Sequence, residues 1–217
     1  MKRISIIFIA LLFSIILISM EKVEFEITHF DDSDTIVQRI TLVSDSQRNA
    51  IVQGKTRMIY YHTKDTLFLI DDSLKTSMKM SISMLGLFIT GLSGNMEGQI
   101  DTSDIQVKKS ATKYEYKGKY YLQFNIYSKN EKVFTAAIDE SSEYPYTRKS
   151  IDKLDKILEK LIGFNIGFTS IKDVKGIPKV IAYYREKFEK IRTVIIDCNK
   201  GNYEKYFIIP QEYKTAY

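Results

Sequence analysis

Residues 54–80 read GKTRMIYYHTKDTLFLIDDSLKTSMKM, and this stretch decides the fold class of the chain. Runs that suit a pleated strand (MIYY, TLFLI, LKTSMKM) alternate with polar, turn-like links at 62–65 and 71–73. Parallel neighbours need a crossover of about a dozen residues, and these links are far shorter. The stretch therefore predicts three consecutive strands with antiparallel pairing.

Strand patterns continue on both sides of this stretch. In KVEFEITHF, residues 22–30, apolar and charged residues alternate, which predicts a half-buried strand with Phe25 and Ile27 on its apolar face. A turn at 31–34 and a second strand, TIVQRITLV, follow. Residues 105–138 predict a three-stranded meander with turns at 117–118 and 128–131.

Two segments are predicted to cover the sheet. Residues 82–92, ISMLGLFITGL, are apolar on every side of a helix but fall short of the about 20 residues that cross a bilayer. They form either a buried part of the core or a lid over one face of the sheet. Residues 150–163 carry one apolar stripe, with Ser150 as the N-cap and Gly163 as the end, which predicts an amphipathic helix packed on the sheet.

Two blocks of sequence resemble a known superfamily. The run Gly54-Lys55-Thr56-Arg57 with Tyr60, followed by LFLIDDS and LKTSMKM, is similar to the early hairpins of the bacterial outer-membrane lipoprotein carrier (LolA-like) superfamily. The likeness is closest to its uncharacterised exported relatives. The second block comprises Gly176-Ile177-Pro178 and the closing YFIIPQEYK of residues 206–214.

The resemblance implies an α+β fold in which a mostly antiparallel β-sheet curves into a half-barrel, covered by the apolar segment 82–92 and the helix 150–163. It also decides between helix and strand for residues 179–197, whose periodicity fits both. It implies two long strands with a turn near 185–187. Residues 206–210 are expected to form a short final strand that Pro210 closes.

The first 20 residues predict export from the cytoplasm. Lys2 and Arg3 precede an apolar run that reaches Met20, which is the layout of an export signal. No small residue stands three positions before a cut after Ser19 or Met20, so this segment is either a signal peptide or an uncleaved N-terminal membrane anchor. Residues 21–217 are expected to form a single domain in the periplasm or cell envelope, which meets a membrane only through this segment or transiently.

Composition argues against several classes of function. The 32 basic and 27 acidic residues are interleaved and give a formal charge of only +5, which does not call for nucleic acid. With two histidines and no H-E-x-x-H, no metal site is expected. Motifs for a nucleophile, a phosphate loop or a dinucleotide are missing too, so neither an enzyme nor a cofactor is expected. Cys198, the single cysteine, is expected to be a small buried side chain.

The sequence thus favours a carrier or binder of a lipid or other amphiphile, such as a lipoprotein acyl chain, in the concave face of the sheet. The predicted ligand-binding residues are Phe25, Ile27, Tyr60, Phe68, Ile70, Met84, Leu87 and Phe88. The resemblance implies in addition that Arg57 contacts the lid. The alternative is a non-catalytic envelope protein with a structural or interaction role, whose sheet is filled by its own side chains.

Overall fold

In the computed structural model, residues 20–30, 35–81, 105–141, 144–152 and 175–216 are described. Thirteen strands in these ranges form one sheet. They are β1 Met20–Phe30, β2 Thr35–Ser44, β3 Arg48–Gln53, β4 Thr56–Tyr61, β5 Leu67–Asp71, β6 Thr76–Met80, β7 Ile105–Lys109, β8 Tyr114–Tyr116, β9 Lys119–Ser128, β10 Glu131–Asp139, β11 Ile177–Arg185, β12 Phe188–Gly201 and β13 Lys214–Ala216.

The strand order is β13-β6-β5-β4-β3-β2-β1-β12-β11-β10-β9-β7, and β8 pairs with β9. Among the described strands, β13 and β7 are the two free ends, so the sheet is unclosed. The predicted hairpins β4–β5 and β5–β6 are confirmed as antiparallel pairs. Among the described pairs, only the short contact of β13 with β6 is parallel.

Three two-residue turns close long hairpins of the sheet, at 117–118, 129–130 and 186–187, and both residues of each turn have φ between 49° and 72°. Such turns match the right-handed twist of the strands that they join. The turns predicted at 117–118, 128–131 and 185–187 are therefore confirmed, and β11 and β12 are the two strands that the resemblance implied.

One face of the sheet is concave. Residues paired across antiparallel strands lie on the same face. Leu42 of β2 belongs to the same buried cluster as Phe124 of β9 and Ile138 of β10. Three strands lie between β2 and β10, and in a flat sheet four strand spacings would hold them about 19 Å apart. The sheet must therefore curve toward this face, and the predicted fold class is confirmed.

The helix α1, described over residues 145–152, lies on the concave face, where Ile151 joins the same cluster as Leu42. It starts five residues earlier than predicted, so the assignment of Ser150 as its N-cap is wrong. Pro145 suits the first helical position because its missing N–H has no partner to lose there. Residues 153–163 of the predicted helix lie outside the described residues.

The other, convex face of strands β2 to β6 is covered by the C-terminal segment, residues 203–213. Phe207 of this segment is buried against Ile59 and Ile70. The strand predicted over 206–210 is wrong: Glu204–Tyr206 is a 3-10 helix, and 208–210 have no regular structure. The reason is that their carbonyl groups are bonded by an arginine side chain and not by a neighbouring strand.

The leader lies outside the described residues except for Met20, which begins β1 and is buried. None of the helical residues in the described ranges make a helix long and apolar enough to cross a membrane.

Candidate functional site: the concave face

An apolar row crosses six adjacent strands on the concave face. Its members pair directly from β1 to β6 and are Val23, Leu42, Ile51, Met58, Leu69 and Met78. The row is fully buried at Val23 and Leu42, near α1, and only half-buried from Ile51 to Met78. The half-buried part of the row retains some accessible apolar surface, and its two methionines adapt to varied apolar shapes.

The predicted ligand-binding residues divide between the two faces. Phe25 and Ile27 of β1 and Tyr60 of β4 are half-buried and share the concave face with the apolar row. Phe68 and Ile70 of β5 lie on the convex face, where they pack in the cluster that contains Phe207. These two residues therefore do not join the others in one site.

Phe68 and Ile70 were assigned to the wrong face because Leu67 to Ile70 are all apolar. Periodicity alone could not show which two of these four side chains lie on the concave face. The structure assigns Leu69, with Leu67, to the concave face through their pairs with Met58 and Tyr60. Ile51, Met58, Leu69 and Met78 were missed as site residues, although the register of the predicted hairpins would have identified the last three. Met84, Leu87, Phe88 and the predicted lid lie outside the described residues.

A polar row runs beside the apolar row, beneath α1. Glu21, Ser44 and Asn49 pair across β1, β2 and β3 and are at most 1% exposed. The Ser150 hydroxyl lies 3.0 Å from that of Ser44 and also contacts the Asn49 side chain. The helix is therefore attached to the sheet by polar contacts as well as by Ile151.

Glu21 caps the first turn of α1. Its carboxylate accepts a hydrogen bond of 2.6 Å from the backbone N–H of Thr147, which lies 126 residues away in sequence. A carboxylate is favourable there because the first N–H groups of a helix have no partner within it and carry partial positive charge. The capping side chain lies on β1, far from the helix in sequence. The periodicity of the helix sequence therefore gave no sign of it, and the predicted start of the helix was too late.

Arg57 lies on the convex face. It connects the two sequence blocks that carry the resemblance, because it belongs to the first block and bonds the closing residues 206–214 of the second. Its guanidinium forms two parallel bonds with Asp72, of 2.8 and 2.7 Å, and donates to the carbonyl oxygens of Tyr206 and Ile208 at 3.3 and 2.9 Å. The Tyr213 hydroxyl donates to the same Asp72 carboxylate at 2.9 Å. These three side chains, Arg57, Asp72 and Tyr213, are called the C-terminal latch below. The implied contact of Arg57 with the lid involves residues outside those described.

The latch makes stability depend on pH. The Arg57 guanidinium beside Asp72, helped by the Tyr213 hydroxyl, lowers the pKa of that carboxyl below its ordinary range. A lowered folded-state pKa adds stability above the unfolded value of about 3.9, which is lost as the pH falls through the folded value. We expect Asp72→Asn to be less stable than the wild type at neutral pH and to lose less stability on acidification. Urea midpoints between about pH 6 and 2 measure this, and parallel curves would contradict it.

Cys198 was predicted to be a small buried side chain; its thiol packs against Val23 and Ile195 but is only half-buried. Burial raises its pKa to about 11, so little thiolate forms near neutral pH. We expect the native protein to react with iodoacetamide at pH 8 at least tenfold more slowly than the urea-unfolded chain, since one pKa unit changes the thiolate fraction about tenfold. Equal rates, followed by mass spectrometry, would contradict this.

In the described part of the chain, no three His, Cys, Asp or Glu side chains are grouped so that they could hold a metal ion. The concave face is instead a surface of apolar side chains with a polar edge under α1. Such a surface is suited to bind an apolar molecule through area removed from water.

No protein-family model matches the sequence, and no curated protein matches it either. Solved structures do match. A crystal structure described as an outer membrane lipoprotein-sorting protein domain from Vibrio parahaemolyticus is 10% identical, covers 83% of this chain and 85% of its own, and has a TM-score of 0.39. A LolA superfamily protein from Nitrosomonas europaea is 8% identical over 84% of this chain and 86% of its own, with a TM-score of 0.34.

A structure of PNGF-II is also similar, at 6% identity and a TM-score of 0.40; the match covers 91% of this chain and 30% of that protein. Two of these three structures are described in the terms of the superfamily that the sequence blocks resemble.

Proposed function

We propose that the protein is an exported envelope protein that carries or binds a lipid or other amphiphile on its concave face, without catalysis. The observation that carries the proposal is the apolar row, which is buried near α1 and half-exposed over Ile51, Met58, Leu69 and Met78. Apolar side chains that are left half-exposed in register on four adjacent strands form a continuous strip that an acyl chain can cover.

The energies allow such binding if the cost of association lies at the low end of its range. Each methylene group removed from water contributes about 0.8 kcal/mol, so a chain of a dozen carbons contributes at most about 10 kcal/mol. Association costs about 4 to 15 kcal/mol in lost translational and rotational freedom, and ordering of side chains adds to this cost. A strip on a rigid sheet keeps the ordering part of this cost low, because the strand register already holds the four side chains in place.

The end of the concave face near α1 supports the second candidate, a structural or interaction protein with a filled core. There Leu42, Ile138 and Ile151 are each at most 8% exposed and pack in one cluster with Phe124. These buried side chains cover one another and are not accessible to a ligand. The two candidates therefore differ in what they predict for the half-buried end of the row, from Ile51 to Met78. A carrier binds an amphiphile there and a filled-core protein does not, so the test addresses these residues.

The test is mass spectrometry of organic extracts from the purified protein. We expect an amphiphile to co-purify with the wild type and to be lost from Met78→Asp, because a carboxylate on the strip has to be desolvated when the ligand binds. Lys79→Asp is the matched control: Lys79 is the next residue of β6, is exposed and faces the other way. It should retain the ligand.

Leu69→Ala serves as a second variant in case Met78→Asp does not fold, and it should retain less ligand than the wild type because it removes contact area. Circular dichroism verifies that each variant is folded. Extracts of folded wild-type protein without any amphiphile, or equal retention by all variants, would contradict the proposal and favour the filled-core candidate.

A further inference from the structure

Strands β11 and β12 part at one end of the sheet. They pair from Arg185 and Phe188 only as far as Val180 and Val194. Beyond that point, β11 continues to pair with β10, and β12 continues to pair with β1 as far as Gly201. A β-bulge at Ile196, between the pairs that β1 makes, falls in the same place. We call this opening, between 177–179 and 195–198, the fork.

Side chains replace the missing ladder in the fork. The Lys179 ammonium donates to the carbonyl oxygen of Ile195. The Tyr144 hydroxyl donates to the carbonyl oxygen of Cys198 at 2.9 Å. Both carbonyl groups thus receive hydrogen bonds from side chains, as buried backbone groups require. The two strands therefore separate in an arrangement that side-chain hydrogen bonds hold, and the fork is not a frayed strand end.

A cleft of about 190 Å³ lies over the fork. The fork supplies Lys179 and an apolar floor, and the β8–β9 hairpin forms the opposite wall. The lining residues are Tyr116, Lys117, Lys119, Tyr121, Lys179, Val194, Ile195 and Ile196. Three of these side chains, those of Lys117, Lys119 and Lys179, end in ammonium groups, and the lining includes no carboxylate.

Acidic side chains line a second cleft that adjoins the first. A neighbouring cleft of about 420 Å³ shares Lys119 and Tyr121 with the first cleft but is lined in addition by Asp139 and Glu140. The two clefts therefore differ in charge, and the cleft over the fork is the positive one. Because Lys117, Lys119 and Lys179 line one small volume, their charges favour an anion there.

We propose that the cleft over the fork binds a phosphate group. Lysine binds phosphate as a point charge, and two tyrosine hydroxyls of the lining are further hydrogen-bond donors. The cleft, of about 190 Å³, has room for one phosphate group with part of its carrier. The apolar floor of Val194 and Ile196 suits an organic phosphate. The site is separate from the apolar row, so it does not depend on the proposed function.

The probes are inorganic phosphate and a short-chain, water-soluble phosphatidic acid below its micelle concentration, each titrated into the isotope-labelled full chain and followed by NMR. We expect saturable shifts at 116–119, 179 and 194–196 with both probes. Tighter binding at these residues by the lipid than by inorganic phosphate would identify an organic phosphate such as a lipid headgroup as the source. Equal occupancy by both probes, with shifts confined to the cleft, would identify free phosphate.

The variant Lys117→Gln/Lys119→Gln should weaken binding at least tenfold while leaving the fork intact, because both side chains are exposed and belong to the hairpin wall. The matched control is Lys55→Gln/Lys75→Gln, which removes the same charge from two exposed turns elsewhere. It should bind as the wild type does. Equal weakening in both variants would show general charge attraction and overturn the proposal, as would the absence of saturable shifts with either probe.

Discussion

Replacing Gly176 with alanine is expected to cost about 4 kcal/mol or more of the free energy of unfolding, which is rare for a single methyl group. Gly176 has φ of 98°, and a Cβ atom there would stand 2.0 Å from the carbonyl oxygen of Asp139 and 2.8 Å from the Cα of Glu140. These are backbone atoms, so no change of side-chain rotamer relieves the overlap. The end of β10 would have to move away from β11.

The matched control for Gly176 is Gly118→Ala. Gly118 also has a positive φ, of 72°, but no atom lies within 4 Å of the added Cβ. This variant bears only the backbone cost of about 1–2 kcal/mol for a left-handed L-residue. Urea unfolding of both variants separates the close contact from the backbone strain, and equal losses would show that the Asp139 contact has no energetic weight.

Arg57→Met is expected to destabilise the protein by about 3 kcal/mol, since it removes two charge-assisted hydrogen bonds to the Asp72 carboxylate, whose side chain is 29% exposed. Arg57 is 8% exposed, and its loss would also remove the hydrogen bonds to the carbonyl groups of Tyr206 and Ile208. We further expect the segment 203–213 to become sensitive to protease. The stability of Arg57→Lys should lie between those of the wild type and Arg57→Met, because an ammonium keeps the charge but cannot form the two parallel bonds to Asp72.

Arg39→Met is the control for Arg57. Arg39 pairs with Glu26 at 3.3 Å on the surface, where its side chain is 73% exposed, so its removal should cost less than about 0.5 kcal/mol. Unfolding midpoints and the time course of trypsin cleavage measure both variants. If Arg57→Met were as stable as Arg39→Met, with an equally protected C-terminal segment, the latch would have no structural role.

Gly176 and Arg57 belong to the two sequence blocks on which the resemblance is based, and each has a structural role there. Gly176 is required where β11 passes close to β10, and Arg57 bonds the carbonyl groups of the closing block. Both can be found as motifs in the sequence. Their partners, Asp139 and the carbonyl groups of Tyr206 and Ile208, cannot, because the contacts join residues that are far apart in the chain.

Local pattern determined most of the fold. Alternation of apolar and polar residues and two-residue turns are properties of neighbours in sequence, so the strands around residues 54–80 and the meander could be predicted from them. The hairpin at 186–187 followed from the resemblance, because the periodicity of residues 179–197 fits both a helix and a strand. The candidate site was predictable only in part. Phe25, Ile27 and Tyr60 were placed on the concave face, whereas Phe68 and Ile70 lie on the convex one, because a strand that is apolar on both sides gives no sign of its orientation.

By itself, then, the sequence determined the strands, their antiparallel pairing and the apolar character of what they enclose, since each depends on residues within one hairpin. Only the tertiary structure decided the start of α1, the course of residues 206–210, and the fork. Each involves a hydrogen bond whose partners lie on different elements: from Thr147 to Glu21, from Arg57 to Ile208, and from Lys179 to Ile195. Such bonds form where backbone groups would otherwise be buried without partners, and no local pattern records where that happens.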